Sequence, residues 1–543
     1  MIERRFPKTS GAAVFLLLAV VAFPASLSAQ RRQATAAPPP AREDADAAAR
    51  TEEKERDKDR DKDKDKDKDK DRPVKEEKPS VTRHEITLGG KPFRYTATAG
   101  YMPMKDENGK LKANIFYVAY VKDAGSARRP VTYTFNGGPG SSSVWLHMGL
   151  VGPKRVVMAD DGQPLPPPYR LVDNDATWLA FTDAVFIDPV TTGYSRPAAG
   201  EKPEQFHGVE EDVQWVGDFI RLWTSRNGRW SSPKFLAGES YGTTRAAGLS
   251  GYLQERHGMY LNGIVLISTI LNFQTADFNV GNDLPYVTFL PTYTTTAWYH
   301  KRLAPDLQAS FQKALEESKQ FAANEYTLAL MKGSKLTGAE RQAVAQKLSR
   351  LTGLPAKFIE ANDLRVTLPR FTKELLRDQR RTVGRLDSRF LGIDRDAGGE
   401  RSDYDPSMAA IRGPYGATIN DYIHTELKYD NDLPYELLTG RVRPWNYGSA
   451  QNRYVNVGET LRDAMSQNQA LKVFVGAGYY DFATPFFAAE YTFDHLGLDP
   501  ALAKNITLEH YDAGHMMYIH KPSLIKLTAD VAAFYASAGA GEK

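Results

Sequence analysis

The sequence predicts an α/β protein in which a mainly parallel sheet domain is interrupted by a mainly helical insertion. Five short apolar runs, each bounded by glycine, proline or aspartate, have the composition of strands that are buried on both faces. They are PVTYTF, DAVFID, KFLAG, GIVLIS and LKVFVGAG. Segments with apolar residues at helical spacing lie between several of these runs, for example over 209–223 and 243–256. Buried strands that alternate with helices are typical of a parallel sheet.

The first eighty residues differ in composition from the rest of the chain. Basic residues, an apolar run over 11–23 and then small residues predict a secretory signal peptide over residues 1–29, with an uncleaved membrane anchor as the alternative. Residues 30–80 are rich in alanine and proline and then alternate lysine with aspartate, so they hold too few apolar side chains to bury a core. We expect a disordered tether here, and a secreted or periplasmic protein with no membrane attachment after cleavage.

Three stretches of the remaining chain are assigned to two domains. Residues 81–268 are expected to form the first part of the sheet domain and to open with antiparallel strands, because polar and apolar residues alternate there between glycine-containing turns. Residues 269–447 have helical periodicity over 303–332 and 338–351 and are assigned to the insertion. Residues 448–538 return to the sheet domain with a further apolar run.

Composition excludes several kinds of chemistry. The 543 residues include no cysteine, which rules out disulfides, thiol nucleophiles and thiolate metal sites. A net charge of +3 is small for this length, and no basic face or nucleic-acid motif indicates binding to DNA or RNA. Neither a metal nor a cofactor is expected, because no metal-ligand or phosphate-binding pattern is present. A nucleophile must be a serine, threonine, lysine or carboxylate.

Ser240 is the strongest candidate for a nucleophile. It lies in GESYG, between the apolar run KFLAG and a helix-like segment, which is the strand–turn–helix context of a nucleophile elbow. Glycines on both sides allow the sharp turn, and the positive end of the following helix favours negative charge at the serine. A tight strand–helix turn without chemistry is the alternative.

A serine nucleophile needs a base and an acid, and both are expected after late strands. His515 follows the strand-like run ITLEH and an Asp-Ala-Gly loop. His510 lies within that strand and His520 lies near the start of a helix, so both are assigned structural roles. Asp481 follows the run LKVFVGAG and would hold the imidazole in the correct tautomer. Asp188 also ends a strand, but it precedes the serine and is assigned a structural or supporting role.

Four separated segments together resemble one family. They are NGGPGSSS, GESYGTTRAAGLSGYL, GYYDFATP and YDAGHMMYIHKP. In these segments the chain is similar to the serine carboxypeptidases, peptidase family S10. The resemblance implies an α/β-hydrolase sheet domain with a mainly helical cap. It also implies a catalytic triad of Ser240, Asp481 and His515, the same three residues that spacing and chain order favour.

The resemblance implies two binding features as well. The backbone amides of Gly138 and Tyr241 would form the oxyanion hole, and Asn136 and Glu239 would bind the free C-terminal carboxylate of a peptide substrate. A glutamate that faces a carboxylate shares one proton with it, which raises one of the two pKa values. We therefore expect activity to be highest below neutral pH.

The chain departs from the family pattern at three positions. Thr134 stands where tryptophan is common, Ser141 where cysteine is common and Leu150 where a second acid is common. The absence of cysteine also predicts a bacterial branch of the family. The predicted function is an exported serine carboxypeptidase that acts on peptides with a free C-terminus. The alternatives are an α/β-hydrolase of other specificity, such as an esterase or acyltransferase, and a catalytically silent binding protein.

Overall fold

A mixed sheet of ten strands forms the centre of the fold. The structure, a computed structural model, describes residues 78–126 and 128–539. The predicted signal peptide over 1–29 and tether residues 30–77 lie outside the described residues. The first strand begins at Ser80, one residue before the predicted start of the folded part.

The strands are numbered in chain order. They are β1 Ser80–Leu88, β2 Lys91–Lys105, β3 Leu111–Lys122, β4 Val131–Phe135, β5 Lys154–Val156, β6 Leu171–Asp173, β7 Asp183–Ile187, β8 Arg196–Pro197, β9 Lys234–Ser240, β10 Gly263–Thr269, β11 Thr382–Val383, β12 Leu391–Gly392, β13 Lys472–Gly478 and β14 Ile506–Tyr511. The large sheet has the order β1–β2–β3–β7–β4–β9–β10–β13–β14, with β8 paired to β3.

The direction of strand pairing changes across the sheet. The strands β1, β2, β3 and β7 pair successively in antiparallel fashion. Each neighbouring pair from β7 through β4, β9, β10 and β13 to β14 is parallel. The antiparallel opening and the mainly parallel sheet that the sequence predicts are therefore confirmed.

The helices flank the sheet or form the region between β10 and β13. They are α1 Val144–Leu146, α2 Val209–Arg226, α3 Tyr241–His257, α4 Leu284–Tyr299, α5 Pro305–Gln308, α6 Phe311–Phe321, α7 Thr327–Lys332, α8 Gly338–Thr352, α9 Ala356–Ala361, α10 Leu368–Glu374, α11 Pro406–Thr425, α12 Gly458–Gln467, α13 Phe486–Asp494, α14 Pro500–Ala503 and α15 Lys521–Ser537. Among residues 78–126 and 128–539, none of the helices combines the length and the apolar composition that a membrane span requires.

Both faces of the central strands are covered by helices. On β10, Ile264 and Leu266 pack into a core shared with α2 and α3, whereas Val265 and Ile267 pack into a second core shared with α11 and α15. Successive strand residues point to opposite faces of a sheet. An unbroken apolar run such as GIVLIS is therefore what a strand covered on both faces requires.

The helical region between β10 and β13 has a core of its own. The rings of Tyr293 on α4 and Phe371 on α10 stack there with their centroids 4.0 Å apart. Phe482, in the loop after β13, packs into the same core, so the helical region contacts the loop that carries Asp481. The exact domain boundaries given above stay predictions.

A buried carboxylate joins the starts of three strands. Asp183, the first residue of β7, accepts hydrogen bonds from Arg129 Nε at 2.9 Å, just before β4, and from Arg229 Nη1 at 2.7 Å, a few residues before β9. The backbone N–H of Lys122, at the end of β3, donates to the same carboxylate at 3.1 Å. The three charged side chains are at most 8% exposed, so Asp183 is the anion that two buried guanidinium groups share.

We expect the substitution Asp183→Ala to lower the free energy of unfolding by about 3–5 kcal/mol, because it leaves two buried cations without their shared anion. The matched control Asp378→Ala breaks an exposed pair with Arg302 and should cost at most about 1 kcal/mol. Urea unfolding followed by circular dichroism measures both values. Equal costs for the two variants would contradict the role assigned to Asp183.

Candidate active site

Ser240 lies at the sharp turn between β9 and α3. Its backbone has φ of 60° and ψ of −130°, a combination that residues with side chains rarely adopt. The turn is so tight that a Cβ on Gly238 would lie 2.2 Å from the carbonyl oxygen of Gly242, so only glycine fits at 238. The chain therefore has the strained strand–turn–helix geometry of a nucleophile elbow.

His515 and Asp481 form a direct hydrogen-bonded pair. The imidazole Nδ1 lies 2.7 Å from Asp481 Oδ2. Asp481 is fully buried, and it also accepts hydrogen bonds from the backbone N–H of Ala483 at 2.7 Å and from the Thr484 hydroxyl at 2.7 Å. These donors hold the carboxylate so that it faces Nδ1, which leaves Nε2 as the imidazole atom available for proton transfer.

Ser240 and His515 are joined through β10. Ser240 pairs in the sheet with Thr269, and the neighbouring Ser268 donates its hydroxyl proton to the carbonyl oxygen of His515 at 2.6 Å. Within the part of the chain that the structure describes, Ser240 Oγ makes no hydrogen bond to the imidazole. The role of His515 as the base that activates Ser240 therefore stays a prediction.

The two competing histidines have partners elsewhere. His510 lies on β14, where its Nε2 is 2.8 Å from Glu490 Oε1 and its ring stacks on Tyr479. His520 precedes α15, and its Nδ1 is 2.8 Å from the Ser523 hydroxyl. Of the three histidines considered, His515 is the one that contacts Asp481.

A second carboxyl group lies directly beside Ser240. Glu239 is 3% exposed and receives one hydrogen bond on each oxygen: Asn136 Nδ2 donates to Oε1 at 2.9 Å, and the Tyr518 hydroxyl donates to Oε2 at 2.6 Å. The backbone N–H of Leu146 donates to Asn136 Oδ1 at 3.1 Å, which fixes the amide orientation. Tyr518 is not among the sequence-predicted residues, and its position three residues after His515 is the signal that could have found it.

The pKa values of Glu239 and His515 are both raised above their ordinary values. Desolvation raises the pKa of Glu239 to about 7, against the opposing effects of His515, Tyr518 and Asn136. Burial lowers the pKa of His515, but the Asp481 carboxylate and then Glu239 outweigh it, so that its pKa is above the ordinary value. The charges of Glu239 and His515 act on each other, so the two groups titrate as a coupled pair.

The loop after β4 packs against the start of α3. A Cβ on Gly137 would lie 2.3 Å from the backbone nitrogen of Tyr241, so the two backbones are in close contact. The next residue, Gly138, has φ of 103°, which favours glycine. The structure thus places Tyr241 against the residue that precedes Gly138. The resemblance assigns the amides of Gly138 and Tyr241 to the oxyanion hole, and that role stays a prediction.

Arg245, on α3, also binds the loop after β4, and it is not among the sequence-predicted residues. It is 1% exposed on α3, and its Nη1 donates to the carbonyl oxygen of Asn136 at 2.6 Å. Its other nitrogens form a bidentate pair with Asp212 on α2, with Nε 2.7 Å from Oδ2. This buried pair fixes the backbone of Asn136, the residue that contacts Glu239.

The positions that depart from the family pattern are buried and packed. Ser141 Oγ accepts a hydrogen bond from the indole nitrogen of Trp145 at 2.8 Å, and Leu150 lies in the apolar core below α11 and α15. Thr134 is buried on β4. Asp188 accepts hydrogen bonds from both the backbone N–H and the hydroxyl of Ser143 at 2.8 Å, which is a supporting contact to the glycine-rich loop.

The sheet order, the elbow and the Asp–His pair after the last two strands define an α/β-hydrolase. A family model described as serine carboxypeptidase, Peptidase S10, matches residues 89–521, which is most of the chain. The chain therefore belongs to the serine carboxypeptidase family.

Several relatives are similar over parts of the chain. The pheromone-processing carboxypeptidase KEX1 of Coprinopsis cinerea is 29% identical over 157 residues, which cover 27% of this chain and 24% of that protein. The protein of the same name from Puccinia graminis f. sp. tritici is 40% identical over 86 residues, 16% of this chain and 12% of that protein. Serine carboxypeptidase-like 34 of Arabidopsis thaliana is 25% identical over 168 residues, 28% of this chain and 29% of that protein. The matches thus span less than a third of each relative.

One solved structure is similar over a larger share of the chain. The crystal structure of Kex1(Δ)p, a prohormone-processing carboxypeptidase from Saccharomyces cerevisiae, aligns with a TM-score of 0.50 and 16% sequence identity. The alignment covers 81% of this chain and 91% of that chain. This similarity concerns the fold, and it confirms the predicted α/β-hydrolase architecture with its helical region.

We expect Tyr518→Phe to raise the pKa of Glu239 above its value of about 7, because the Tyr518 hydroxyl stabilises the ionised carboxylate. The loss of one such hydrogen bond corresponds to roughly one pH unit. Carbon-13 NMR of labelled glutamate side chains, followed across pH, measures the change. Tyr422→Phe, which removes another buried hydroxyl bonded to Tyr120, is the control and should leave the titration unchanged. A lower pKa in Tyr518→Phe would refute this assignment.

Proposed function

We propose that this protein is a serine carboxypeptidase that removes C-terminal residues from peptides through an acyl-enzyme. Membership of the family supports hydrolysis by an activated serine, and the pairing of His515 with Asp481 supports the triad. The observation that carries the choice of a free C-terminus is the buried Glu239 carboxyl beside Ser240, with Asn136 donating to it at 2.9 Å.

In the proposed mechanism Ser240 and His515 carry the chemical steps, and Asp481 holds the imidazole of His515 in the required tautomer. His515 takes the hydroxyl proton of Ser240 as Oγ attacks the carbonyl carbon of the last peptide bond. The backbone amides of Gly138 and Tyr241 would bind the oxygen of the tetrahedral intermediate, and each such donor typically contributes roughly 3–4 kcal/mol to lowering the barrier. His515 then gives the proton to the leaving amine. Water attacks the acyl-enzyme by the same route and releases the shortened peptide.

Glu239 supplies the proposed selectivity for a free carboxylate. A protonated carboxyl can donate a hydrogen bond to the substrate carboxylate, whereas an ionised one repels it. Because the pKa of Glu239 is raised to about 7 by burial, the group is protonated below neutrality and loses its proton as the pH rises through that value. Binding of a free acid is therefore expected to weaken on the alkaline side.

The same proton favours the neutral form of the base. When Glu239 is protonated, the smaller of the two negative charges that raise the pKa of His515 is removed, whereas the larger contribution, from Asp481, remains. Protonation of Glu239 therefore lowers the pKa of the imidazole and extends the range in which it is neutral. The raised pKa of Glu239 supports the expected activity optimum below neutrality, and a rate that keeps rising above pH 8 would count against it.

Two further parts of the proposal rest on the sequence alone. Export is supported by the signal-peptide pattern over residues 1–29, which lies outside the described residues. Placement in a bacterial branch is supported by the absence of cysteine and stays a prediction, since the relatives reported above are fungal and plant proteins.

We expect KM for an N-blocked dipeptide with a free C-terminus to rise about tenfold for each pH unit above pH 7, because one proton on Glu239 is required for binding. The C-terminal amide of the same dipeptide lacks the carboxylate, so it should be a much poorer substrate and its KM should not show this rise. In Glu239→Gln, which has no ionisable group at 239, the rise for the free acid should disappear. Steady-state kinetics between pH 5 and 9 measure all three.

Other outcomes of this comparison identify the alternatives. Equal turnover of acid and amide would point to an endopeptidase or a general hydrolase, and turnover of a simple ester alone would point to an esterase. Absence of turnover, together with no labelling of Ser240 by a fluorophosphonate, would indicate a catalytically silent protein. Each of these results would refute the carboxypeptidase assignment.

A further inference from the structure

Residues 385–389 of the helical region, which we call the strap, run between the loops that carry Asp481 and His515. From their contacts we infer that the strap sets the position of the catalytic histidine, with Asp387 and Arg389 as positioning residues. This inference rests on the proposed function, because it assigns His515 the role of base. No motif of the sequence analysis includes these residues.

The strap holds the backbone on both sides of the imidazole. The N–H of His515 donates to the carbonyl oxygen of Leu386 at 2.6 Å, and the N–H of Gly514 donates to Asp387 Oδ2 at 3.0 Å. Arg389 Nη1 donates to the carbonyl oxygen of Asp512 at 3.2 Å. Three contacts within four residues of one loop leave little freedom for the backbone that carries the base.

The same five residues also hold the loop of the acid. The N–H of Phe482 donates to the carbonyl oxygen of Arg385 at 3.1 Å, and the N–H of Ser388 donates to the carbonyl oxygen of Tyr480 at 3.0 Å. These contacts lie immediately before and after Asp481. One short segment therefore fixes the relative position of the two loops whose side chains meet at 2.7 Å.

A buried ion pair gives the strap its shape. Arg389 Nη2 lies 2.7 Å from Asp387 Oδ2 and Nε lies 2.9 Å from Oδ1, and the two side chains are 6% and 4% exposed. A Cβ on Gly514 would lie 2.5 Å from Cα, Cβ and Cγ of Asp387. The Asp387 carboxylate thus packs directly against the backbone next to His515, and its hydrogen bonds with the Arg389 guanidinium fix its orientation.

The far side of the strap is anchored in the helical region. The Ser388 hydroxyl is 2.6 Å from the Thr296 hydroxyl on α4, and the Ser388 carbonyl oxygen is 2.7 Å from His300 Nε2. The N–H of Leu386 donates to the hydroxyl of Ser407, near the start of α11, at 2.9 Å. The strap therefore links two helices of this region to the catalytic loops through hydrogen bonds.

Misplacement of a catalytic group by about 1 Å can reduce the rate by about 10²-fold. In Asp387→Asn the negative charge that orients Arg389 is lost, and an NH2 group that cannot accept a hydrogen bond replaces one of the two oxygens that bind Arg389 and Gly514. The loop that carries His515 is then held less firmly. The substrate-binding residues Asn136 and Glu239 lie on other elements. We therefore expect a loss in kcat with little change in KM.

The test compares Asp387→Asn with a matched control. Asp394→Asn breaks another ion pair of the helical region, with Lys373 at 2.5 Å and both side chains 2% exposed. The partners of Asp394 are Lys373 and the backbone of Asp403, not the catalytic loops. We expect kcat for the blocked dipeptide to fall about 10- to 100-fold in Asp387→Asn with KM within about twofold, and kcat to stay within about twofold in Asp394→Asn. Arg389→Lys, which keeps the positive charge, should be intermediate.

The rate at which a fluorophosphonate labels Ser240 distinguishes an error in the proposed function from an error in the role of the strap. Labelling requires the serine and its base but no peptide binding. All proteins are assayed well below their unfolding temperatures, which are measured in parallel. If wild-type protein is not labelled, the proposed function itself is wrong. If wild-type protein is labelled and Asp387→Asn reacts as fast as Asp394→Asn, the strap has no positioning role and the inference is overturned.

Discussion

The Glu239 carboxyl is buried at the end of β9, with 3% of its surface exposed, and much of the site is arranged around it. A buried carboxyl is costly unless its oxygens receive hydrogen bonds or it keeps its proton. Its donors, Asn136 and Tyr518, come from the loop after β4 and from the segment before α15. Satisfying this one side chain therefore brings distant parts of the chain to the same end of the sheet, next to Ser240.

The elements that carry the site are held by contacts that the triad alone does not explain. Arg245 and Asp212 fix the backbone of Asn136 from the helix side, and the strap fixes the loops of Asp481 and His515 from the helical region. In both cases the link is a buried, bidentate ion pair that also binds a backbone group, which gives a defined geometry. The helical region thus supports the loops that carry Asp481 and His515.

The parts of this structure that were predictable have local signals. The unbroken run GIVLIS indicates a strand covered on both faces, and GESYG between a strand and a helix indicates the elbow at Ser240. Tyr518 and Glu239 are 279 residues apart, and Asp387 and Gly514 are 127 apart. Contacts of this kind leave no periodicity in the sequence, so the strap could not be assigned from it, and the one sequence signal for Tyr518 is its position three residues after His515.

The most direct test of the central claim is mass spectrometry of the products formed from a peptide mixture by wild-type protein and by Ser240→Ala. If a buried Glu239 beside the nucleophile selects a free carboxylate, wild-type protein should give peptides that are shortened from the C-terminus, with intact N-termini, and Ser240→Ala should give none. Products of internal cleavage, or peptides shortened from the N-terminus, would contradict the account.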